Sequence, residues 1–186
     1  MARPRLVLAS ESPQRRAILR RLGVRFSVRP ARVRELRRGD PHAIALENAL
    51  RKAQAADTGD ERELVLACDT LVSLDGVIYG KPSGEAAARR TLRALSGRTH
   101  EVISGLALIC GQEQRSAIAR TAVSFRELDE AMLRWYLATG EWRGRAGAYA
   151  IQGAGAALVR GLEGDYENVV GLPVAALLDL CPQLLR

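Results

Sequence analysis

Lysine is nearly absent from this chain of 186 residues, which carries two lysines against 26 arginines. On composition alone, codon bias in a GC-rich genome is the simplest explanation. Lysine and arginine are equivalent as solvated surface charge, but a compact ammonium on a flexible stem differs from a planar guanidinium where it must reach a phosphate. The surroundings of Lys52 and Lys81 therefore decide whether these two residues indicate a function.

Aromatic residues, histidines, cysteines and long apolar runs are also scarce. His42 and His100 are the only histidines, and neither lies in a metal-binding or triad pattern. Cys68, Cys110 and Cys181 are far apart in apolar segments, which is typical of a reduced cytoplasmic protein rather than of disulfides or a zinc site. No apolar run approaches the roughly 18 residues of a membrane span, so no membrane association is expected.

The positive charge is the one strong compositional signal. A net charge of +7 and a pI near 10 would suit nucleic acid, but aromatic residues make up only 4% of the chain and no nucleic-acid-binding motif is present. A positive field also suits a small polyanion such as a nucleotide. Nucleic acid is therefore not the favoured partner.

Periodicity and turn residues predict alternating strands and helices in a single α/β domain over residues 1–186. The apolar run at 64–69 is predicted to be a buried strand that ends at Asp69, and Asp75-Gly76 is predicted to turn a hairpin over 72–79. The pattern predicts a mixed, partly antiparallel twisted sheet with helices on its faces. The other predicted strands are 6–9, 26–28, 100–109 and 117–125, and the helices are 13–22, 41–56, 83–95, 130–137 and 173 to the C terminus.

Two segments that follow predicted strands carry candidate binding groups. Residues 10–15 open a helix with two hydroxyls and a guanidinium, which can hold a phosphate, although simple helix capping by Ser12 explains the same residues. Asp69-Thr70 can hold a divalent cation or orient a water, but an aspartate can also merely end a strand.

Three further features concern the lysines and a glycine-rich segment. Asn48 and Lys52 are four residues apart and share a helix face. Lys81 is held between Gly80 and Pro82, where a rigid loop would direct its side chain. Residues 145–153 are small enough for a ligand to approach the backbone, and Gln152 offers a donor and an acceptor to a base edge. Solvated charges and a tight loop are the alternative interpretations.

These segments together resemble the Maf family of nucleoside triphosphate pyrophosphatases. The resemblance extends over nearly the whole chain at compatible spacing, and although each segment is weak alone, the ordered set is specific. The matching pieces are Leu8-Ala9-Ser10-Glu11-Ser12-Pro13-Gln14-Arg15-Arg16, Glu47-Asn48-Ala49-Leu50-Arg51-Lys52-Ala53, Asp69-Thr70-Leu71-Val72, Gly80-Lys81-Pro82, Ser96-Gly97, residues 136–141, residues 146–153 and Asn168-Val169-Val170-Gly171-Leu172-Pro173.

The resemblance implies hydrolysis between the α and β phosphates with a divalent metal (Mg, Mn or Co), in an inosine triphosphatase-like fold with two lobes around a central nucleotide cleft. It makes Asp69 the proton acceptor and, with Glu35, a metal ligand. Arg34 stands before Glu35, where the family usually has an acid. The resemblance assigns the triphosphate to Ser10, Ser12, Arg15, Lys52 and Lys81, with both lysines also counted as catalytic.

Base preference divides the family into two branches. The dTTP/UTP branch usually has Arg, Thr and Gln at three positions where the 7-methyl-GTP branch has Trp, Gln and Glu. This chain has Gln14, Thr70 and Gln152 there, so two positions match the first branch and Gln14 matches neither. An amide also suits a pyrimidine imide. We therefore expect a cytoplasmic dTTP/UTP pyrophosphatase, homodimeric by resemblance. The alternatives are 7-methyl-GTP hydrolysis and a nucleic-acid-binding or division-regulating protein without significant catalysis.

Overall fold

The computed structural model describes residues 4–185. Its strands are Arg5–Leu8 (β1), Phe26–Val28 (β2), Glu63–Leu74 (β3), Val77–Ile78 (β4), Thr99–Cys110 (β5), Glu113–Phe125 (β6) and Val159–Glu163 (β7). Its α-helices are Pro13–Arg21 (α1), Pro41–Ala56 (α2), Glu85–Leu95 (α3), Glu130–Thr139 (α4), Tyr166–Val170 (α5) and Val174–Leu180 (α6), with 3-10 turns at Ala146–Ala148, Ala154–Leu158 and Pro182–Leu185.

The seven strands form one open mixed sheet. Its order is β2-β1-β3-β5-β6-β7, with β4 paired to β3 outside this path. β1 is parallel to both β2 and β3, whereas β3, β5, β6 and β7 pair antiparallel. The predicted fold class, a mixed and partly antiparallel sheet with helices on its faces, is confirmed.

At one end of the sheet, side chains that alternate along β1 enter two separate cores on opposite faces of the sheet. Leu6 and Leu8 face α1 and α6, while Val7 and Ala9 face the alanine-rich side of α2. This is the period-two pattern of a strand buried on both faces. A third core forms at the other end of β3, β5 and β6, where α3, α4 and residues 142–158 pack. A cleft lined by residues from both ends, among them Arg15, Asp69 and Tyr149, lies between them and agrees with the two-lobed prediction.

Asp69 does not end its strand, and this prediction was wrong. β3 continues to Leu74 because Val72 and Leu74 enter the third core. Asp69 instead pairs with Gly105 in the middle of β3, just beyond the point where parallel pairing with β1 stops at Leu66. The carboxylate therefore lies in the middle of a twelve-residue strand.

Three elements near the C terminus also differ from the prediction. β7 and α5 were not predicted, because an edge strand and a five-residue helix leave almost no periodic signal. The last helix ends at Leu180 rather than at the C terminus, since Pro182 cannot donate the next helical hydrogen bond and a 3-10 turn follows.

Glycine at position 105 lets α2 lie directly on the sheet. A Cβ atom at Gly105 would come 2.2 Å from the carbonyl oxygen of Ala45. Such glycines within strands commonly mark a close backbone approach. Asp40 caps α2 by accepting a hydrogen bond from the Ala43 amide at 2.8 Å. This packing brings the polar residues of α2 over Asp69. No helix among residues 4–185 has the length and apolar character needed to cross a membrane.

Candidate active site

A buried carboxylate on β3 forms the centre of the site. Asp69 is 5% exposed. Its Oδ2 accepts a hydrogen bond from Asn48 Nδ2 at 2.9 Å, and its Oδ1 accepts one from Lys52 Nζ at 2.5 Å. Both donors project from successive turns of α2. A carboxylate buried away from water needs such hydrogen-bond partners, and each of its oxygens retains further acceptor capacity.

Asn48 also connects the helix to the segment that carries Glu35. Its Oδ1 accepts from the Leu36 amide at 2.8 Å, and its Nδ2 donates to the Leu36 carbonyl at 3.1 Å. Asn48 is 1% exposed. One amide therefore fixes Asp69 and the backbone beside Glu35 at the same time. The sequence places Asn48 on the face of Lys52 but does not predict these contacts.

Lys52 links two acidic residues. Its Nζ lies 2.6 Å from Glu35 Oε1 and 2.5 Å from Asp69 Oδ1. Burial acts to raise the pKa of Glu35, but the hydrogen bond and charge of Lys52, with the charges of Lys81 and Arg37, hold that pKa below its ordinary value of 4.5. Glu35 is therefore a carboxylate at neutral pH.

Asp69 and Glu35, the two predicted metal ligands, each direct one oxygen at the same cationic centre. Hard carboxylate oxygens suit Mg²⁺ or Mn²⁺. No cluster of three or more histidine, cysteine, aspartate or glutamate residues suited to a metal occurs within residues 4–185. The pair thus fits a metal that takes its other ligands from water and substrate phosphates, as Mg²⁺ commonly does.

Two cations without an ion pair stand at the rim of the cleft. Lys81 is exposed in the loop after β4, and Arg37 follows Glu35 by two residues. Neither forms a salt bridge to another residue in the range 4–185. The Gly147 amide donates to the Tyr79 carbonyl at 2.9 Å, which fixes the Lys81 loop against the glycine-rich segment. These two charges are available to an anionic ligand.

Arg15 is held by protein groups on every side. Its guanidinium donates to the Gly171 carbonyl at 2.8 Å, to Ser10 Oγ at 3.0 Å and to Thr70 Oγ1 at 3.2 Å. Thr70 Oγ1 also lies 2.9 Å from Ser104 Oγ. Arg15 thereby joins the start of α1 to β3 and to the end of α5. The Arg15 guanidinium therefore lines the cleft in a fixed orientation.

Ser10 and Ser12 shape the loop before α1. Ser10 is buried, and its Oγ accepts from Arg15 and from the Ser12 amide at 3.2 Å. Ser12 Oγ accepts from the Arg15 amide at 3.4 Å and donates to Gln14 Oε1 at 3.2 Å. The capping interpretation of Ser12 thus holds geometrically, and Ser12 also lines the cleft.

The site occupies a cleft of about 430 Å³ that adjoins a smaller pocket of about 290 Å³. Gln14, Arg145 and Tyr149 line both, so the two are continuous. Gln152 lines only the smaller pocket, and Thr70 only the cleft. The cleft brings together most of the predicted residues, namely Ser12, Gln14, Arg15, Glu35, Lys52, Asp69, Thr70 and Lys81.

A larger cavity of about 900 Å³ lies elsewhere among the described residues, between the start of β1, the end of α1 and the C-terminal turn. Its lining is mainly apolar, with Leu22, Phe26 and Leu184 among the contributors. Its polar lining residues include Arg5 and Glu63, which form an ion pair, and none of the predicted site residues lines it. The cleft around Asp69 is therefore the better candidate for chemistry.

Three supporting residues of the smaller pocket were not predicted. Tyr136 Oη accepts from the Ala150 amide at 3.1 Å, and Glu141 accepts from the Ala154 amide at 3.0 Å. His100 Nε2 lies 2.9 Å from Tyr149 Oη. Burial lowers the pKa of His100 to about 4. Burial also raises the pKa of Tyr136 to about 12, so both groups are neutral at pH 7.

Comparison with known proteins agrees with this arrangement. The model of a family described as "Maf-like protein" matches residues 5–184. The dTTP/UTP pyrophosphatase of Moorella thermoacetica is 49% identical over 180 residues, which cover 95% of this chain and 93% of that protein. Those of Pyrococcus furiosus and Deinococcus radiodurans are 43% and 42% identical over 178 residues, covering 95% of this chain and 93% and 91% of theirs. The chain belongs to the Maf-like family.

Proposed function

We propose that this protein is a hydrolase that converts dTTP and UTP to the nucleoside monophosphate and pyrophosphate. The observation that carries the proposal is the buried Asp69 carboxylate, which is oriented by two hydrogen bonds and faces a cleft lined by cations. The names of the similar proteins, dTTP/UTP pyrophosphatases at 42–49% identity, support the same reaction.

Asp69 acts as the general base in this mechanism. Asn48 and Lys52 each occupy one lone pair of its carboxylate, which leaves further acceptor positions for a water in the cleft. Asp69 takes a proton from that water as the water oxygen attacks one of the two phosphorus atoms that flank the α–β bridging oxygen. The bond between that phosphorus and the bridging oxygen breaks, the nucleoside monophosphate and pyrophosphate separate, and one water is consumed for each pair of products.

The cations around the cleft match the charge of a triphosphate. Lys81 and Arg37 have no ion pair among residues 4–185, and Arg145 lines both cavities. Phosphoryl transfer depends mainly on fixed positive groups that stabilise the phosphate oxygens. Arg15 supplies a rigid charge through its three protein contacts. We assign Ser10 and Ser12 to shaping this phosphate end of the cleft.

Asp69 and Glu35 would hold a divalent metal such as Mg²⁺, Mn²⁺ or Co²⁺. When bound, it would neutralise phosphate charge and polarise the phosphoryl group. Lys52 Nζ contacts both carboxylates, so a metal held there would share these oxygens with the ammonium. Chelation with EDTA should abolish turnover, and retained turnover would contradict the metal.

The smaller pocket would receive the base. Gln14 and Gln152 line it, and an amide can donate to the carbonyl and accept from the N3–H of uracil or thymine. A 7-methylguanine edge, which is rich in donors, would be better matched by a carboxylate free to accept. Both oxygens of Glu141 in this pocket already accept backbone amides. Thr70, the third predicted specificity residue, would take part from the neighbouring cleft, beside Asp69.

A nucleotide panel tests the proposal. Phosphate release is measured with Mg²⁺ and added inorganic pyrophosphatase for dTTP, UTP, CTP, GTP and 7-methyl-GTP. Phosphate should appear fastest with dTTP and UTP and vanish when the pyrophosphatase is omitted. Faster turnover of 7-methyl-GTP would contradict the base assignment. Tight, salt-sensitive binding of RNA or DNA without any turnover would favour a binding protein instead.

We further propose that residues 1–186 act as one domain, as a homodimer in the cytoplasm. One sheet runs through the described chain, which supports the single domain. Cys68, Cys110 and Cys181 are free thiols, which suits a reducing compartment. The dimer follows from the family resemblance alone. Light scattering coupled to size-exclusion chromatography should give twice the chain mass of 20.2 kDa.

A further inference from the structure

The segment of residues 149–155 carries Gln152 but belongs to no strand, and its backbone is held by side chains. Tyr149 and Ile151 anchor it in the third core, whereas residues 153–155 are glycine and alanine and have little side chain to pack. The amide groups of the segment need hydrogen-bond partners in addition to this packing. The end of α4 and the residue that follows its cap supply most of them.

Glu141 supplies the strongest of these contacts. Its Oε1 accepts the Ala154 amide at 3.0 Å, and its Oε2 accepts the Gly155 amide at 3.3 Å. A Cβ atom at Gly153 would come 2.5 Å from both carboxylate oxygens. The glycine that directly follows Gln152 thus allows the carboxylate to approach the backbone. Both oxygens are used inside the protein, which leaves Glu141 poorly placed to bind a base itself.

The position of Glu141 is fixed in turn by α4. Its amide donates to Thr139 Oγ1 at 3.2 Å, and that hydroxyl donates to the Tyr136 carbonyl at 2.7 Å. Tyr136 is fully buried, and its Oη accepts the Ala150 amide at 3.1 Å. Backbone amides on both sides of Gln152 are therefore held from one rigid helix end.

We propose that Glu141 is a positioning residue for base recognition, which holds the backbone that presents Gln152 to the pyrimidine edge. The inference rests on the proposed function. A carboxylate is needed because two N–H donors meet its two oxygens. A glutamine would place its own NH₂ group against one of those donors. The Gln152 side chain would then lose its fixed distance to the base.

The test compares UTP with CTP, which differ only at the base edge that Gln152 would read. The ratio of their kcat/KM values should fall about tenfold in Glu141→Gln, because one buried amide loses its partner. The kcat for UTP should change much less, since Asp69 and Lys52 are untouched. Glu130→Gln is the matched control, because Glu130 lies on α4, the helix that precedes Glu141, and pairs with Arg89 and Arg93 at the surface. Its UTP/CTP ratio should stay at the parent value.

A double-mutant cycle separates positioning from direct contact. If Glu141 acts through Gln152, the variant carrying Glu141→Gln and Gln152→Ala should discriminate no worse than Gln152→Ala alone. Additive losses would mean that Glu141 contacts the base itself and would overturn the inference. An equal fall in turnover of UTP and CTP in Glu141→Gln would also overturn it, because that result indicates a general structural role.

Gly153→Ala provides a second route if Glu141→Gln does not fold. Its methyl group would displace the Glu141 carboxylate from the same backbone, so the UTP/CTP ratio should again fall. An unchanged ratio in a folded Gly153→Ala protein would overturn the inference. The unmutated protein separates failure of the proposed function from failure of this inference. If it hydrolyses no nucleotide, the proposed function is contradicted. If it prefers UTP, only the role of Glu141 is in question.

Discussion

The two ends of the cleft are built on different principles. At the phosphate end, Asp69 lies within a twelve-residue strand, and Asn48 and Lys52 come from a sixteen-residue helix pressed onto that strand. At the base end, Gln152 lies on a glycine-rich loop that is held by hydrogen bonds to its backbone amides and by the buried side chains of Tyr149 and Ile151. Asp69 and the two groups that bind it thus occupy regular elements, whereas Gln152 occupies a loop.

This difference has a physical reason. A general base and its cations must keep their distances within a fraction of an ångström, and strands and helices provide that rigidity. Gln152 and Gly153 are exposed and lie outside the core that Tyr149 and Ile151 enter, so a substitution at these two loop positions can leave the sheet undisturbed. Substitutions at the phosphate end should therefore affect all nucleotides equally, whereas those at the base end should alter the choice among them.

The largest effect is expected for Asp69→Asn. The amide keeps the size of the side chain but cannot take a proton from water, so kcat should fall about a thousandfold for every substrate. Asp75→Asn is the control, because Asp75 lies in the turn after β3 with Arg98 as its partner, away from the cleft. Circular dichroism should show both variants folded. Unchanged turnover in Asp69→Asn would remove Asp69 from the mechanism.

Replacing the two lysines by arginine should have the next largest effect. Lys52 Nζ fits between two carboxylates, where a planar guanidinium is too wide, so Lys52→Arg should lower kcat/KM about a hundredfold. Lys81→Arg should cost about tenfold, because Lys81 is exposed and its surroundings can adjust. Arg51→Lys on the same helix should leave the rate unchanged. Normal turnover of both lysine variants would leave codon bias as the explanation for the scarcity of lysine.

Asn48→Ala should show that the site and the fold share one amide. Removing it leaves the Leu36 amide and carbonyl without their partner, which should lower the unfolding free energy by about 1–3 kcal/mol. Turnover should fall about tenfold, equally for UTP and CTP, because Asp69 and Glu35 lose their common support. Urea denaturation and steady-state kinetics measure the two effects, with Gln54→Ala, a surface change on α2, for comparison. A loss confined to one nucleotide would contradict the assignment of Asn48 to the phosphate end.

The smallest effect on turnover is expected for His100→Gln, at the base end. Burial lowers the folded pKa of His100 from 6.5 to about 4, so between these values the unfolded chain binds more protons than the folded one. This contribution to stability is present above pH 6.5 and is lost as the pH falls toward 4, by roughly 3 kcal/mol. Thermal melts between pH 4 and 7 should show a weaker pH dependence in His100→Gln than in the parent or in His42→Gln, which removes a half-buried histidine. An identical pH dependence of stability in the parent and both variants would contradict this role of His100.

The sequence predicted most elements because their boundaries carry local signals. Asp129 caps α4 by accepting the Met132 amide at 2.7 Å, and Gly140 ends that helix in the left-handed region. The Asp75-Gly76 turn has positive φ at both residues, as its composition predicts. Such features depend on a few neighbouring residues, so pattern reasoning finds them.

The supporting contacts of the site depend on pairs that are distant in the chain. Asn48 meets Leu36 and Asp69 only because α2 lies on β5, and Glu141 reaches Ala154 only after the chain turns back. One signal was available. Gly105 interrupts an apolar strand, and this indicates a close backbone approach. It does not say which helix approaches.

Gly105 also fixes the distance between α2 and the Asp69 carboxylate. With 2.2 Å between a notional Cβ there and the Ala45 carbonyl, even an alanine would lift α2 from the sheet or rotate it. Lys52 and Asn48 would move with it, since the helix is one rigid body, and each reaches Asp69 at no more than 2.9 Å. The distance between the Lys52 ammonium and the Asp69 carboxylate thus depends on Gly105 having only a hydrogen atom as its side chain, although that atom contacts no substrate.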